Sequence, residues 1–223
     1  MNVMVLGATG LTGAAVVEKL LDRPEVATVI APIRRRIGAE HPKLIQQQVD
    51  FDDLEASADL FAVDAIICCL GTTIKKAGSR EQFRKVDYEV CLSAASVGRK
   101  AGARAFILMS AIGASSESTI FYNRVKGELE DAVRALGYPY LSVYHPSLLL
   151  GQRQEQRTAE SLGIKLMPVV NRVLLGPLEK FRGVEAATVA QAMVNEVCAL
   201  EPGNLNEPVQ YLRDYPEIRR LAG

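Results

Sequence analysis

Residues Met1–Gly13 read MNVMVLGATGLTG, and the fold follows from how this stretch is understood. Val3, Met4, Val5 and Leu6 form a short apolar run, which Gly7, Gly10 and Gly13 then break. Behind the glycines, Ala14–Leu21 takes up a helical period. Strand, glycine turn and helix in that order make a phosphate cradle. Gly7 permits the tight turn, Gly10 lets the backbone approach a pyrophosphate, and Gly13 lets helix pack closely on strand. The helix N-terminus offers unpaired N–H groups and a positive dipole end to the phosphates. The spacing is G-x-x-G-x-x-G instead of the commoner G-x-G-x-x-G, so the reading rests on context: a strand before it and a helix after it. The stretch predicts a dinucleotide site.

The alternation continues outward from there. Val26–Ala31 reads as a second strand ending at Pro32, and Leu44–Val49 as a third, leading into Asp50-Phe51-Asp52-Asp53. Asp64–Leu70 is a continuous apolar run, as a central parallel strand buried on both faces requires. It stops at Gly71-Thr72-Thr73, after which Ile74–Ser79 reads as a loop and Arg80–Lys100 as a long helix. Ala105–Met109 is a fifth strand running into Ser110. Phe121–Leu136 is helical, capped by Gly137 with Pro139 beyond, and Leu141–Tyr144 is a sixth strand before His145-Pro146-Ser147. This pattern predicts the α/β class, a doubly wound parallel sheet with ligands at the C-terminal strand ends. From Leu150 the rhythm changes. Gly151–Arg157 is a polar loop at the mouth of the site, Thr158–Leu175 and Glu185–Leu200 are amphipathic helices, and the last residues are sparse in core pattern. One domain, 1–223, is predicted, with 151–223 adding a small helical lobe on the substrate side.

Composition narrows the function classes. Lys+Arg and Asp+Glu both total 26, so no global basic field points to nucleic acid. Cys68, Cys69, Cys91 and Cys198 lack metal-ligand spacing, and two of them lie inside an apolar run, where cysteine serves as a small hydrophobe. No metal is predicted. The chain opens on a strand instead of a charged and then apolar leader, and no apolar run reaches membrane-spanning length. These features predict a cytoplasmic protein with no membrane partner.

The end of strand two distinguishes the dinucleotides. NAD-preferring sites place an acid there for the ribose hydroxyls, whereas this chain has Pro32-Ile33-Arg34-Arg35-Arg36. A 2′-phosphate repels a carboxylate and pairs with a guanidinium fork, which favours NADPH, although three consecutive arginines also make an ordinary solvated loop. Asp50 either accepts a hydrogen bond from adenine or caps a helix that starts near Asp52. Gly71 and Thr72 end strand four, where backbone passes close to a cofactor or simply turns.

Tyr122 and Lys126 sit four apart in a helical stretch and share a face. An ammonium beside a phenol favours phenolate, giving a general acid that protonates a carbonyl as hydride arrives, or the reverse. Ser110, on the preceding strand end, would orient the substrate oxygen. His145 either faces the substrate or serves as a structural hydrogen-bond partner. Arg153 and Arg157 either bind an anionic group or belong to a solvated loop.

Taken together, Gly7-x-x-Gly10-x-x-Gly13, Asp50-Phe51, Gly71-Thr72-Thr73, Val86-Asp87, Ser110 and Tyr122-x-x-x-Lys126 resemble an atypical short-chain dehydrogenase/reductase. Cys69–Thr73 with Lys76-Ala77-Gly78, Val125–Glu130 and Leu149–Arg157 resemble, more narrowly, the Tat-interacting-protein oxidoreductase family and its bacterial relatives. The resemblance implies a Rossmann fold and NADPH. Carried over residue by residue, it puts Gly7, Thr9, Gly10, Leu11, Thr12, Arg34, Arg35, Asp50, Gly71 and Thr72 near the cofactor, and Ser110, Tyr122 and Lys126 on the catalytic positions. His145 and Ser147 depart from it, standing where relatives carry Arg-Pro-Gly. The expected activity is NADPH-dependent hydride transfer to a small carbonyl substrate. The alternatives are a non-catalytic NADPH-binding regulatory protein and a nucleotide-sugar epimerase or dehydratase, for which the chain beyond strand six is short. By analogy with related reductases, the helices over 80–100 and 122–136 would pair two subunits in a homodimer.

Overall fold

Apolar runs that are hydrophobic on both sides of a strand demand cover on both faces, and the structure supplies it. The computed structural model describes residues 1–34, 38, 40–151, 174, 176–201 and 208–223. In chain order the elements are β1 (Asn2–Leu6), α1 (Leu11–Leu21), β2 (Thr28–Ile33), β3 (Leu44–Gln48), β4 (Ala65–Cys68), α2 (Ile74–Ala77) and α3 (Arg80–Arg84). A π-helical segment, Lys85–Val90, joins α3 to α4 (Cys91–Lys100), followed by β5 (Ala105–Met109), α5 (Phe121–Ala135) and β6 (Tyr140–Tyr144). Then come β7 (Leu149–Leu150), β8 (Val184–Glu185), α6 (Ala186–Cys198), β9 (Val209–Arg213) and α7 (Tyr215–Ala222).

Seven strands form one parallel sheet in the order β3-β2-β1-β4-β5-β6-β9, and β7 with β8 makes a small second one. Successive side chains of a strand face opposite ways. Val3 and Val5 therefore enter the core shared with α1 and α6, while Met4 and Leu6 enter the core shared with α4 and α5. The same alternation splits Ile67 from Ile66 and Ile107 from Phe106. Strand order reverses at β1, so a crevice opens between the C-terminal ends of β1 and β4. That is where the glycine turn sits.

The structure departs from the sequence reading in four places. β2 runs through Pro32 to Ile33, because the β1–β2 pairing already ends at Met4 and Ile30, and a missing N–H beyond that point breaks no rung between them. The expected loop over Ile74–Ser79 contains the single turn α2, capped by Thr73, whose side chain accepts from the Lys76 N–H, and closed by Gly78 at φ 82°. The expected helix over Arg80–Lys100 carries the π-helical segment, which holds Asp87. The sparse C-terminus supplies β9, the seventh strand of the main sheet, instead of a lobe alone. As an edge strand it exposes Gln210, Tyr211 and Leu212 and so lacks an apolar signature. Of the helix expected over Thr158–Leu175 only Leu174 is among the described residues, and most of the polar loop before it lies outside them.

Candidate functional site

The glycine turn is built by contact distances. Gly7 adopts φ 79°, and a Cβ there would lie 2.6 Å from the Cys69 carbonyl oxygen. A Cβ on Gly13 would lie 2.2 Å from the Gly7 carbonyl oxygen, so the first turn of α1 rests directly on the loop. The Gly10 N–H donates to Gly7 at 2.9 Å, and the Ala14 N–H to Gly10 at 2.9 Å. Gly10 N-caps α1 without a side-chain hydrogen bond, and no acidic residue stands in the first turn. Thr12 is 2% exposed, and its hydroxyl has no partner among the described residues. An uncapped helix start beside an orphaned buried hydroxyl fits an anionic ligand such as a pyrophosphate. Thr9 and Gly10 are exposed at the rim, and Leu11 packs against the backbone of Gly151.

Beyond the turn lies a cavity of about 310 Å³, lined by Arg34, Asp50, Phe51, Gln82 and Lys85 among others. The Arg34 guanidinium lies 5.5 Å from the Phe51 ring centroid. Asp50 faces this cavity while one of its carboxylate oxygens accepts from the Asp52 N–H at 2.9 Å, so it also secures its own turn. Lys85 closes an exposed ion pair to Asp52 at 2.8 Å beside the cavity. Arg35, with Arg36, Arg153 and Arg157, lies outside the described residues.

On α5, Tyr122, Lys126, Glu130 and Arg134 recur every four residues and form one stripe. Lys126 is buried and its Nζ lies 2.7 Å from Oδ1 of Asp87, which is itself fully buried. The other oxygen of Asp87 accepts from the Thr72 N–H at 2.8 Å. A Cβ on Gly71 would stand 3.3 Å from the carboxylate and 3.7 Å from Nζ. Asp87 therefore ties the end of β4 to the lysine of α5. Burial pushes the Lys126 ammonium down, but Asp87 above all, then Tyr122 and Cys91, more than offset it and hold the group well above its ordinary value. Tyr122 is half-buried, with its ring 5.5 Å from that of Phe83. Sequence reasoning gave Asp87 no role. It entered only within Val86-Asp87, one of the segments that carry the family resemblance.

Ser110 ends β5 and donates its hydroxyl proton to Oε1 of Glu130. His145 Nε2 lies 2.7 Å from the same oxygen, and Arg134 Nη2 lies 3.0 Å from Oε2. His145 thus takes the structural alternative, bound to a carboxylate at the end of β6. Glu130 was also missed, although it falls on the Tyr122 and Lys126 stripe one turn further on. Gly7, Gly71, Asp87, Lys126 and Ser110 all gather at the C-terminal ends of β1, β4 and β5. Among the described residues no group of three or more His, Cys, Asp or Glu is placed to hold a metal ion, and no helix is long and apolar enough to cross a membrane.

Comparison with known proteins bears on this arrangement. Residues 7–197 match the family model described as NAD(P)H-binding. Protein HTATIP2 of Rattus norvegicus is 34% identical over 207 residues, covering 91% of this chain and 83% of its own length. Protein FMP52, mitochondrial, of Meyerozyma guilliermondii is 33% identical over 228 residues, covering 100% and 95%. Among solved structures, MoeE5 in complex with UDP-glucose and NAD superposes with a TM-score of 0.67 at 12% identity, covering 98% of this chain and 79% of that one. The human epimerase family protein SDR39U1 with NADPH superposes with a TM-score of 0.60 at 21% identity, covering 95% and 72%. At such identities these two share the fold. The relatives also correct one expectation. Fungal relatives at 31–36% identity carry the word mitochondrial in their names, which overturns the cytoplasmic assignment. That assignment rested on the opening strand, and a strand at the start of a fold carries no information about compartment.

Proposed function

The chain belongs to the atypical short-chain dehydrogenase/reductases, the NAD(P)H-binding family that includes the HTATIP2 and FMP52 proteins, and on that premise we propose that it is an NADP-dependent oxidoreductase acting on a small carbonyl or alcohol. The observation that carries this reading is the Tyr122, Lys126 and Asp87 arrangement beside Gly71 and Thr72. Bound NADPH would supply the hydride. Tyr122 gives its proton to the substrate oxygen, or takes it back in the reverse direction. Lys126, held charged by Asp87, anchors the cofactor ribose and keeps a positive charge beside the phenol. Ser110 contacts the substrate, and the bare glycine turn with Thr12 takes the pyrophosphate. NADPH over NADH is supported by Arg34 at the end of β2, next to the cavity that Asp50 and Phe51 line, with no acid at that strand end.

Calorimetric titration with NADPH and NADH tests the cofactor, with Arg34→Ala as the control. NADPH is expected to bind more tightly, and the variant to lose about 1–3 kcal/mol of that binding while NADH affinity holds. Equal affinities would remove the NADP assignment. For the chemistry, Tyr122→Phe is expected to lower turnover at least about 100-fold with NADPH affinity nearly intact. Tight NADPH binding without oxidation across a broad carbonyl panel would replace the enzyme by a binding protein whose contacts follow cofactor occupancy.

A further inference from the structure

A second cavity, of about 250 Å³, opens where β7, β8, the start of α6 and α7 meet, and it shares no lining residue with the one beside Arg34 and Asp50. Leu150 and Val184 of the small sheet give it an apolar wall, and Tyr215 of α7 gives it an aromatic one. Glu185 and Thr188 line it from the start of α6, and Arg219 from the turn of α7 that follows Tyr215, on the same face. Among the described residues the Glu185 carboxylate, the Arg219 guanidinium and the hydroxyls of Thr188 and Tyr215 have neither a hydrogen bond nor an ion pair. Glu185 precedes α6 without capping it through its side chain. The neighbouring Arg182, 5.8 Å from the Tyr215 ring centroid, is committed elsewhere, to Glu179 at 2.8 Å and to the Leu174 carbonyl at 2.7 Å. One carboxylate and one guanidinium thus line a small space without meeting each other. A purely anionic ligand would gain Arg219 and be repelled by Glu185, and a cation the reverse. A ligand that carries both signs gains from both.

We propose that this cavity binds a free α-amino acid with an apolar or aromatic side chain. Glu185 receives the ammonium and Arg219 the carboxylate, while Tyr215, Leu150 and Val184 take the side chain. Size points the same way. The volume falls below the roughly 300–1,000 Å³ of sites for drug-sized ligands, and a single amino acid is of the scale that remains. The site stands apart from Tyr122 and Lys126 and does not depend on how those residues are read.

The test is an NMR titration of the full chain, without dinucleotide, by L-phenylalanine, phenethylamine and 3-phenylpropanoate. The amine lacks the carboxylate and the acid lacks the ammonium, while all three keep the ring. L-Phenylalanine is expected to shift the amides of Val184, Glu185 and Thr188 and the methyls of Leu150, and to leave the amides of Asp50 and Gln82 in place. Half-saturation is expected at a concentration about threefold or more below that of either analogue, the size of one net hydrogen bond. Glu185→Gln should erase the advantage over 3-phenylpropanoate, and Arg219→Gln the advantage over phenethylamine. Silence up to the solubility limit, shifts led by Asp50 and Gln82, equal response to all three compounds, or advantages that survive both substitutions would each overturn the proposal. Should a variant not fold, the order of the three compounds on the unaltered chain still decides.

Discussion

Lys126 keeps its charge in a place where burial alone would remove it, because Asp87 stands 2.7 Å away. Breaking a buried pair by removing one partner leaves the other charge uncompensated, so Asp87→Asn is expected to cost about 3–5 kcal/mol in denaturant unfolding. Adding Lys126→Met should return most of that loss, since the asparagine still accepts from Thr72 and no bare ammonium remains. A single variant as stable as the parent would show that the pair is not closed in solution. The sign of the pH dependence follows from the raised lysine. Its stabilising contribution is whole below the ordinary lysine range and fades only as pH climbs through the higher folded value, so neutral and mildly alkaline solutions leave it intact.

Helix α1 and strand β9 are held by opposite means, one by the absence of side chains and the other by their abundance. Gly13→Ala would push a methyl to 2.2 Å from backbone oxygen of Gly7, whereas Gly10→Ala meets that oxygen at 3.2 Å. The first is expected to cost about 1–3 kcal/mol and to abolish dinucleotide binding, the second to spare stability and weaken binding only. Thermal unfolding and calorimetry on both variants separate these outcomes. At the other edge, Glu196 of α6 accepts hydrogen bonds from Tyr140, Ser142 and Tyr144 of β6 and from Arg213 of β9. Burial and this carboxylate push the Tyr140 and Tyr144 phenols well up, which keeps them as donors. Glu196→Leu would leave Arg213 buried and unpaired, at a cost of about 3–5 kcal/mol. Amide exchange is expected to quicken over Val209–Arg213 before it does over Ala105–Met109, and uniform quickening would mean that β9 is not held through this cluster.

A bound dinucleotide would bridge elements far apart in the chain, because the cradle joins β1 to α1 and Asp87 joins the end of β4 to α5. A ligand that binds only the folded chain, at 100 times its dissociation constant, adds about 2.7 kcal/mol, which for a chain of this size corresponds to a rise of about 5–11 °C in the melting temperature. Scanning calorimetry with NADPH checks it, and an unmoved transition would remove the glycine turn from function.

The alternation of apolar strands with helices, the glycine turn and the Tyr122-x-x-x-Lys126 spacing were all legible in the chain because each is a local pattern. A strand buried on both faces must be apolar throughout, a turn under a phosphate must be bare, and residues four apart on a helix must share a face. Asp87, Glu130 and β9 were not legible in this way. Asp87 matters because a π-helical segment brings it to a lysine 39 positions later in the chain. Glu130 matters because β5 and β6 end where Ser110 and His145 both reach it. An edge strand with one exposed flank carries too little apolar signal to announce itself. Patterns within a segment fix which elements form and where a ligand can lie. Long-range packing fixes which buried charges meet, and therefore which way the proton on Ser110 points.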